Sequence, residues 1–364
     1  SLALLGPDTG PVVAGTDLGR SEVPLDDIVF DTFGAGELTL AEADDRRVEE
    51  LRDAIVPLVD PGYVTAEQST GLLADDDLVL GYVAADGSAW AHPHRILNFH
   101  EIVETELAGE PVVVTFCPLC RSGAVYSRTV DLGAGPEVLN FGNTSALYQN
   151  DLVMFDRQTL SYWWQVRGRA VVGALTGVEL EVLASSTTTW GRWRAEHPDS
   201  RVLSFDTGYR VDYGRDPFAG YPEAVDAGRT PFPVAPEFLT DGRLPSGAPV
   251  VVVATAGGTW AVPVDTGVRA VVALPPEAED TEALVVVDGP DSVVLEPPSS
   301  GDPGSGLRWE AGRLVDDRGS RWDLSGHAVS GPNRGSELNQ VPSRNQLWFS
   351  AVAAFPGIVV VEPG

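Results

Sequence analysis

The sequence predicts a mainly β protein (α+β) of two homologous β-rich domains, the second a degenerate copy, with few short helices. Short Val-rich segments broken by Gly, Asp and Pro run from Leu78 onward, and a single amphipathic helical pattern precedes them. The third observation is a long-range self-match. Residues 164–190 laid without gaps on 322–348 agree at ten positions, from Trp164/Trp322 through Gly168/Gly326, Gly173/Gly331 and Gly177/Gly335 to Trp190/Trp348.

Residues 1–43, punctuated by Gly, Pro and Asp, read as an extended N-terminal arm. Residues 44–205 form the first repeat, 206–249 a Pro/Gly/Tyr-rich connector wrapped over the surface, and 250–364 the second repeat. Val48, Leu51, Ile55 and Leu58 fall at helical spacing, predicting one helix over 44–58, stopped by Pro57 or Pro61. Each copy then reads as a strand through Trp90 or Trp260, a triple-Val strand, a hairpin and a Gly-x-Ala-Val-x-Gly strand. A helix closes each copy, from Thr189 to Glu196 and from Gln346 to Ala354. The shared glycines are expected to supply turn conformations that a Cβ resists.

Composition narrows the function. There are 53 Asp and Glu against 24 basic residues, all of them Arg, for a formal charge of -29. An acidic surface without Lys predicts a halophile, whose carboxylates stay hydrated in screening salt; an Arg-rich, high-GC genome is the plainer account. Phosphates need a basic face, so nucleic acid is excluded as a partner and anionic membranes are disfavoured. No apolar run reaches the roughly 20 residues of a membrane span. No phosphate loop, GxSxG elbow or HExxH occurs, so no nucleotide cofactor is expected. The chain opens at Ser1 rather than Met, which leaves open whether a leader preceded it.

Both cysteines lie in Val112-Val113-Val114-Thr115-Phe116-Cys117-Pro118-Leu119-Cys120. With Pro118 set against Pro290, the second copy keeps the strand but has Gly289 and Ser292 in their places. Strand residues follow Cys120, so the context is that of a metal knuckle rather than of a redox helix. His100 and Met154, neither retained in the second copy, complete a soft donor set of Cys117, Cys120, His100 and Met154, for which copper is expected ahead of zinc. Glu101 is expected to orient His100. His92 and His94 are reserve ligands. The turns from Asp206 to Phe218 could hold calcium, though hydrogen-bonded loops are commoner. Each member also has a plain reading: a local disulfide or inert thiols, a core histidine and a gap-filling methionine.

The run His94-Arg95-Ile96-Leu97-Asn98-Phe99-His100-Glu101, the CPLC motif, Phe141-Gly142-Asn143-Thr144, Met154-Phe155-Asp156-Arg157 and Trp164-Gln165 together resemble a prokaryotic family known as domain of unknown function 3179. The resemblance is strongest over residues 50–220. It carries over His100, Cys117, Cys120, Met154, Asp156 and Gln165 as candidates, with Asp156 and Gln165 supporting the ligands. Phe99 stands where the family usually has Trp, which keeps an aromatic wall. The resemblance implies an extracellular or cell-surface location, with a lipid anchor outside this chain, and supplies no activity.

The leading expectation is an exported protein for metal handling or electron transfer. One alternative is a thiol-disulfide oxidoreductase using Cys117 and Cys120 with His100 as base. Another is a non-catalytic surface protein that meets a protein partner through its N-terminal arm.

Overall fold

The computed structural model describes residues 11–133, 135–255, 257–264, 267–274 and 283–363. The first ten residues of the predicted arm lie outside them. Strand makes up 39% and helix 12% of the chain. Two compact units form: one from Ser1–Gly62, Arg95–Leu183 and Phe205–Asp241, the other from Tyr63–His94, Ala184–Ser204 and Gly242–Gly364.

In the first unit, Ile102–Leu107, Glu110–Cys117 and Ser122–Ser127 form an antiparallel meander, with Leu58–Val59 parallel to its outer strand. Val112, Val113, Val114 and Thr115 are buried on both faces, which β-branched side chains suit. Ala108 and Gly109, both at positive φ, make the two-residue turn that matches strand twist. A second sheet orders Arg169–Val172, Tyr162–Trp164, Asp151–Asp156 and Phe141–Tyr148, and Ile28–Phe30 of the arm adds the last strand.

The helix predicted over 44–58 is shorter, Asp45–Leu51. Asp44 caps it by accepting from the Arg47 N–H at 2.8 Å, and Val48 and Leu51 are buried as the spacing requires. It stops because Asp53 is claimed elsewhere. At φ 56 its N–H donates to the Asn143 carbonyl at 2.7 Å, and its carboxylate accepts from the Asn143 N–H at 2.9 Å and pairs with Arg157 at 2.8 Å.

In the second unit one connectivity occurs twice. The hairpin Leu78–Val83 and Ala89–Pro93 is flanked by Ser185–Thr189, antiparallel, and Arg201–Leu203, parallel, joined through the helix Trp190–Glu196. The hairpin Pro249–Thr255 and Gly258–Pro263 is flanked likewise by Arg344–Leu347 and Val359–Val360 through Trp348–Ala354. The Trp190 N–H donates to the Asp77 carbonyl at 2.7 Å, and the Trp348 N–H to Ala248 at 2.8 Å. The meander Arg269–Ala273, Leu284–Asp288 and Asp291–Leu295 and the small sheet from Arg308 to Ser330 complete the unit.

The glycine expectation holds at the closest approach. Gly173 and Gly331 have φ of 105° and 93°, and a Cβ would lie 2.8 Å from Ser161 Cα in one case and 2.6 Å from Ser320 Cα in the other. The turns from Asp206 to Phe218 are hydrogen-bonded loops: Asp212 accepts from the Gly214 N–H at 3.0 Å and Asp216 from Phe218 at 2.9 Å.

Candidate metal centre

Cys117 ends one strand of the first meander and stands opposite Ser122, which begins the next. Pro118, Leu119, Cys120 and Arg121 close the loop, with Arg121 at φ 49. Beside them the two-residue turn Gln149-Asn150, left-handed at both positions, delivers Asp151 to the start of its strand. The three side chains meet there. The Cys120 thiol donates to Asp151 Oδ1 at 2.8 Å, and the Val166 N–H donates to Oδ2 at 3.0 Å. Ligand atoms of Cys117, Cys120 and Asp151 all lie within 4.8 Å of one another, and all three residues are buried.

A polar scaffold holds this group. Ser122 Oγ lies 3.0 Å from Cys120 Sγ and donates to Gln165 Oε1 at 2.5 Å, while Gln165 Nε2 donates to Thr115 Oγ1 at 2.8 Å. Burial pushes the Cys117 thiol up, pushes the Cys120 thiol well above its usual range, and lifts the Asp151 carboxyl to about 6. Without a cation, the buried group therefore favours protonated thiols. A bound metal reverses that preference, because it stabilises thiolates directly.

A cavity of about 580 Å³ adjoins the group, walled by Cys117, Glu101, Asn143, Phe99, Phe218 and Phe232 among others. Glu101 follows the helix His94–His100 at φ 58, and its N–H donates to the Leu97 carbonyl at 2.8 Å. Burial raises its carboxyl to about 7, against the opposing effect of the Asn143 amide.

The predicted quartet does not converge. His100 Nδ1 lies 2.8 Å from the Val56 carbonyl and Nε2 lies 2.6 Å from the Tyr213 hydroxyl. A carbonyl only accepts, so Nδ1 carries the proton and Nε2 accepts from Tyr213. Burial lowers the His100 pKa, consistent with a neutral ring. Met154 is fully buried, three positions along the strand from Asp151 and therefore on its opposite face. Asp151 stands in the third place that the sequence assigned to His100.

The supporting residues divide. Gln165 bonds Ser122 and Thr115 beside the thiols. Glu101 lines the cavity but bonds Asn143 at 2.8 Å rather than His100. Asp156 shapes a turn, accepting from the Thr159 N–H at 2.6 Å and from Trp163 Nε1 at 3.0 Å. His92 belongs to the second unit, where Tyr63 at 2.9 Å and the Leu80 carbonyl at 3.2 Å occupy its ring nitrogens. His94 begins its helix and is not in the thiol group. Asp151, Ser122, Thr115 and Asn143 were not singled out in the sequence. Gln149-Asn150-Asp151 reads there as a polar turn, and the available signal was an Asp heading an otherwise apolar strand.

Fold and pocket define a β-rich protein with a buried dithiol-carboxylate group beside a cavity. The chain belongs to the family described as Protein of unknown function (DUF3179), which matches residues 52–357. No curated protein matches it. No solved structure does either.

Proposed function

We propose that the first unit binds one transition-metal ion through Cys117, Cys120 and Asp151, with the fourth coordination position directed to the cavity. The supporting observation is the gathering of three buried ligand atoms within 4.8 Å. Two thiolates and a carboxylate suit zinc, whereas the imidazole that would favour copper is hydrogen-bonded elsewhere and the Met154 thioether lies on the strand face opposite Asp151, so zinc comes ahead of copper. Three protein ligands and an open position are the pattern of a zinc site that handles a ligand rather than one that only staples a fold. The dithiol redox reading is weaker, since a reactive cysteine needs a depressed pKa and burial raises both thiols.

In this reading the second half is a duplicated, chemically degenerate copy. The repeated hairpin, flanking strands and closing helix support duplication, as do the matched glycine conformations. A role at the cell surface rests on the export that the family resemblance implies.

Metal analysis of the full chain purified without chelator tests the proposal. Wild type should carry about one zinc per chain, and Cys117→Ser and Asp151→Asn less than about a tenth of that. Equal and negligible metal in all three would overturn it.

A further inference from the structure

The cavity beside the thiols contains a polar atom that the fold leaves unused. Glu101 Oε2 accepts from Asn143 Nδ2 at 2.8 Å, while Oε1 has no hydrogen bond among the described residues and is not sealed from the cavity. The carboxylate is held there at a backbone cost. Glu101 occupies the left-handed position after a helix, at φ 58, where glycine is favoured. Strained residues that aim an unpaired polar group into a cavity are characteristic of ligand sites.

The remaining wall states what kind of ligand fits. Phe99, Phe218, Phe232, Leu119 and Leu147 supply apolar surface, and the volume of about 580 Å³ is that of a small-molecule pocket. Asp31 and Glu101 in the wall outnumber Arg215, and the chain carries a formal charge of -29, so an anion is disfavoured. We propose that this cavity binds a small neutral organic molecule with an aromatic or aliphatic body and one hydroxyl, whose donor hydrogen-bonds Glu101 Oε1 while its body packs on Phe99, Phe218 and Phe232. This rests on the metal reading in one respect, that the polar end of the ligand lies beside the ion's open position; the Glu101 contact is independent of it.

The probes are 2-naphthol and 2-methoxynaphthalene, which share a body but differ in the donor. Each is titrated calorimetrically into the full chain, with and without zinc. 2-Naphthol should bind about 10-fold tighter than its methyl ether, as a hydrogen bond to a carboxylate implies. Glu101→Gly, which suits the left-handed backbone, should abolish that preference, and Phe218→Ala should weaken both probes alike. A preference that survives Glu101→Gly, or no binding of either probe in both metal states, overturns the inference. A Glu101-dependent preference in a chain that takes up no zinc upholds the cavity and removes only the metal.

Discussion

The strands Glu110–Cys117 and Ser122–Ser127 close on the pair Cys117 and Ser122, with Pro118 to Arg121 between them. In the second unit Leu284–Asp288 and Asp291–Leu295 close on Asp288 and Asp291 over the shorter turn Gly289-Pro290. Matching the two prolines set Gly289 and Ser292 against the thiols. On the proposed duplication, superposing the closing pairs would set Asp288 against Cys117 and Asp291 against Ser122, and the shorter turn would have no counterpart of Cys120. The two hairpins meet the cost of buried polar groups differently. Asp288 and Asp291 have cations supplied by the chain: Arg192 binds both, at 2.8 Å to Asp291, and Arg269 reaches Asp288 at 2.6 Å. The thiol hairpin has protonated sulfurs and a carboxyl near neutrality. A metal ion would do for Cys117, Cys120 and Asp151 what Arg192 does for its aspartates.

The largest effect should come from Asp151→Asn. It removes the charged ligand while keeping the shape, and zinc affinity measured by chelator competition should fall at least ~100-fold, about 2.7 kcal/mol. Unchanged affinity would break the analogy between ion and arginine. Arg192→Met should cost about 2 kcal/mol in denaturant unfolding, because it leaves the shielded Asp291 without a cation while Asp288 keeps Arg269. Ser122→Ala, at the matching position of the first hairpin, should cost about 1 kcal/mol; a loss as large as that of Arg192→Met would erase the distinction.

A smaller and symmetric effect tests the duplication. Trp163 Nε1 donates to Asp156 at 3.0 Å and Trp322 Nε1 to Asp316 at 2.9 Å. Each Trp→Phe change should destabilise by about 1 to 2 kcal/mol, and strongly unequal losses would argue that the two turns are not equivalent. The smallest effect concerns pH. Burial raises Glu196, a neighbour of Arg192, from 4.5 to about 7. Its protonated form then contributes stability that is complete below about 4.5 and lost as pH rises through about 7. The thermal midpoint should decline less across that window in Glu196→Gln than in wild type; identical profiles would dismiss the effect.

Much of the scaffold was legible because strand signals are local. The Val112–Thr115 run, the Trp90 and Trp260 strands and the closing helices at Trp190 and Trp348 are where composition and spacing put them. Helix length was not, since Asp53 gives its main chain to Asn143, ninety residues away in sequence. The gapless self-match also slips by one: Trp163, not Trp164, pairs with Ala170 as Trp322 pairs with Ala328. Both copies carry a bulge at that Trp, and the extra residue lies in the connection after it, six residues from Trp164 to Arg169 against five from Asp323 to His327. The site was half legible. Cys117, Cys120 and Gln165 carry motif signals, whereas Asp151 arrives through the geometry of a hairpin and His100 is diverted by Tyr213, a residue of the connector. Chain-distant pairings of that kind leave no period in a sequence.

The short strand Ile28–Phe30 covers the outer flank of Phe141–Tyr148 at Ala146, Leu147 and Tyr148, with Ile28 and Phe30 buried. The family match begins at residue 52, beyond it. A chain trimmed to the matched region would therefore bare main-chain donors and acceptors along that flank, a ready template for a strand from another molecule. Such a fragment should self-associate more readily than the longer chain, which would make the arm a guard against aggregation as much as a part of the sheet.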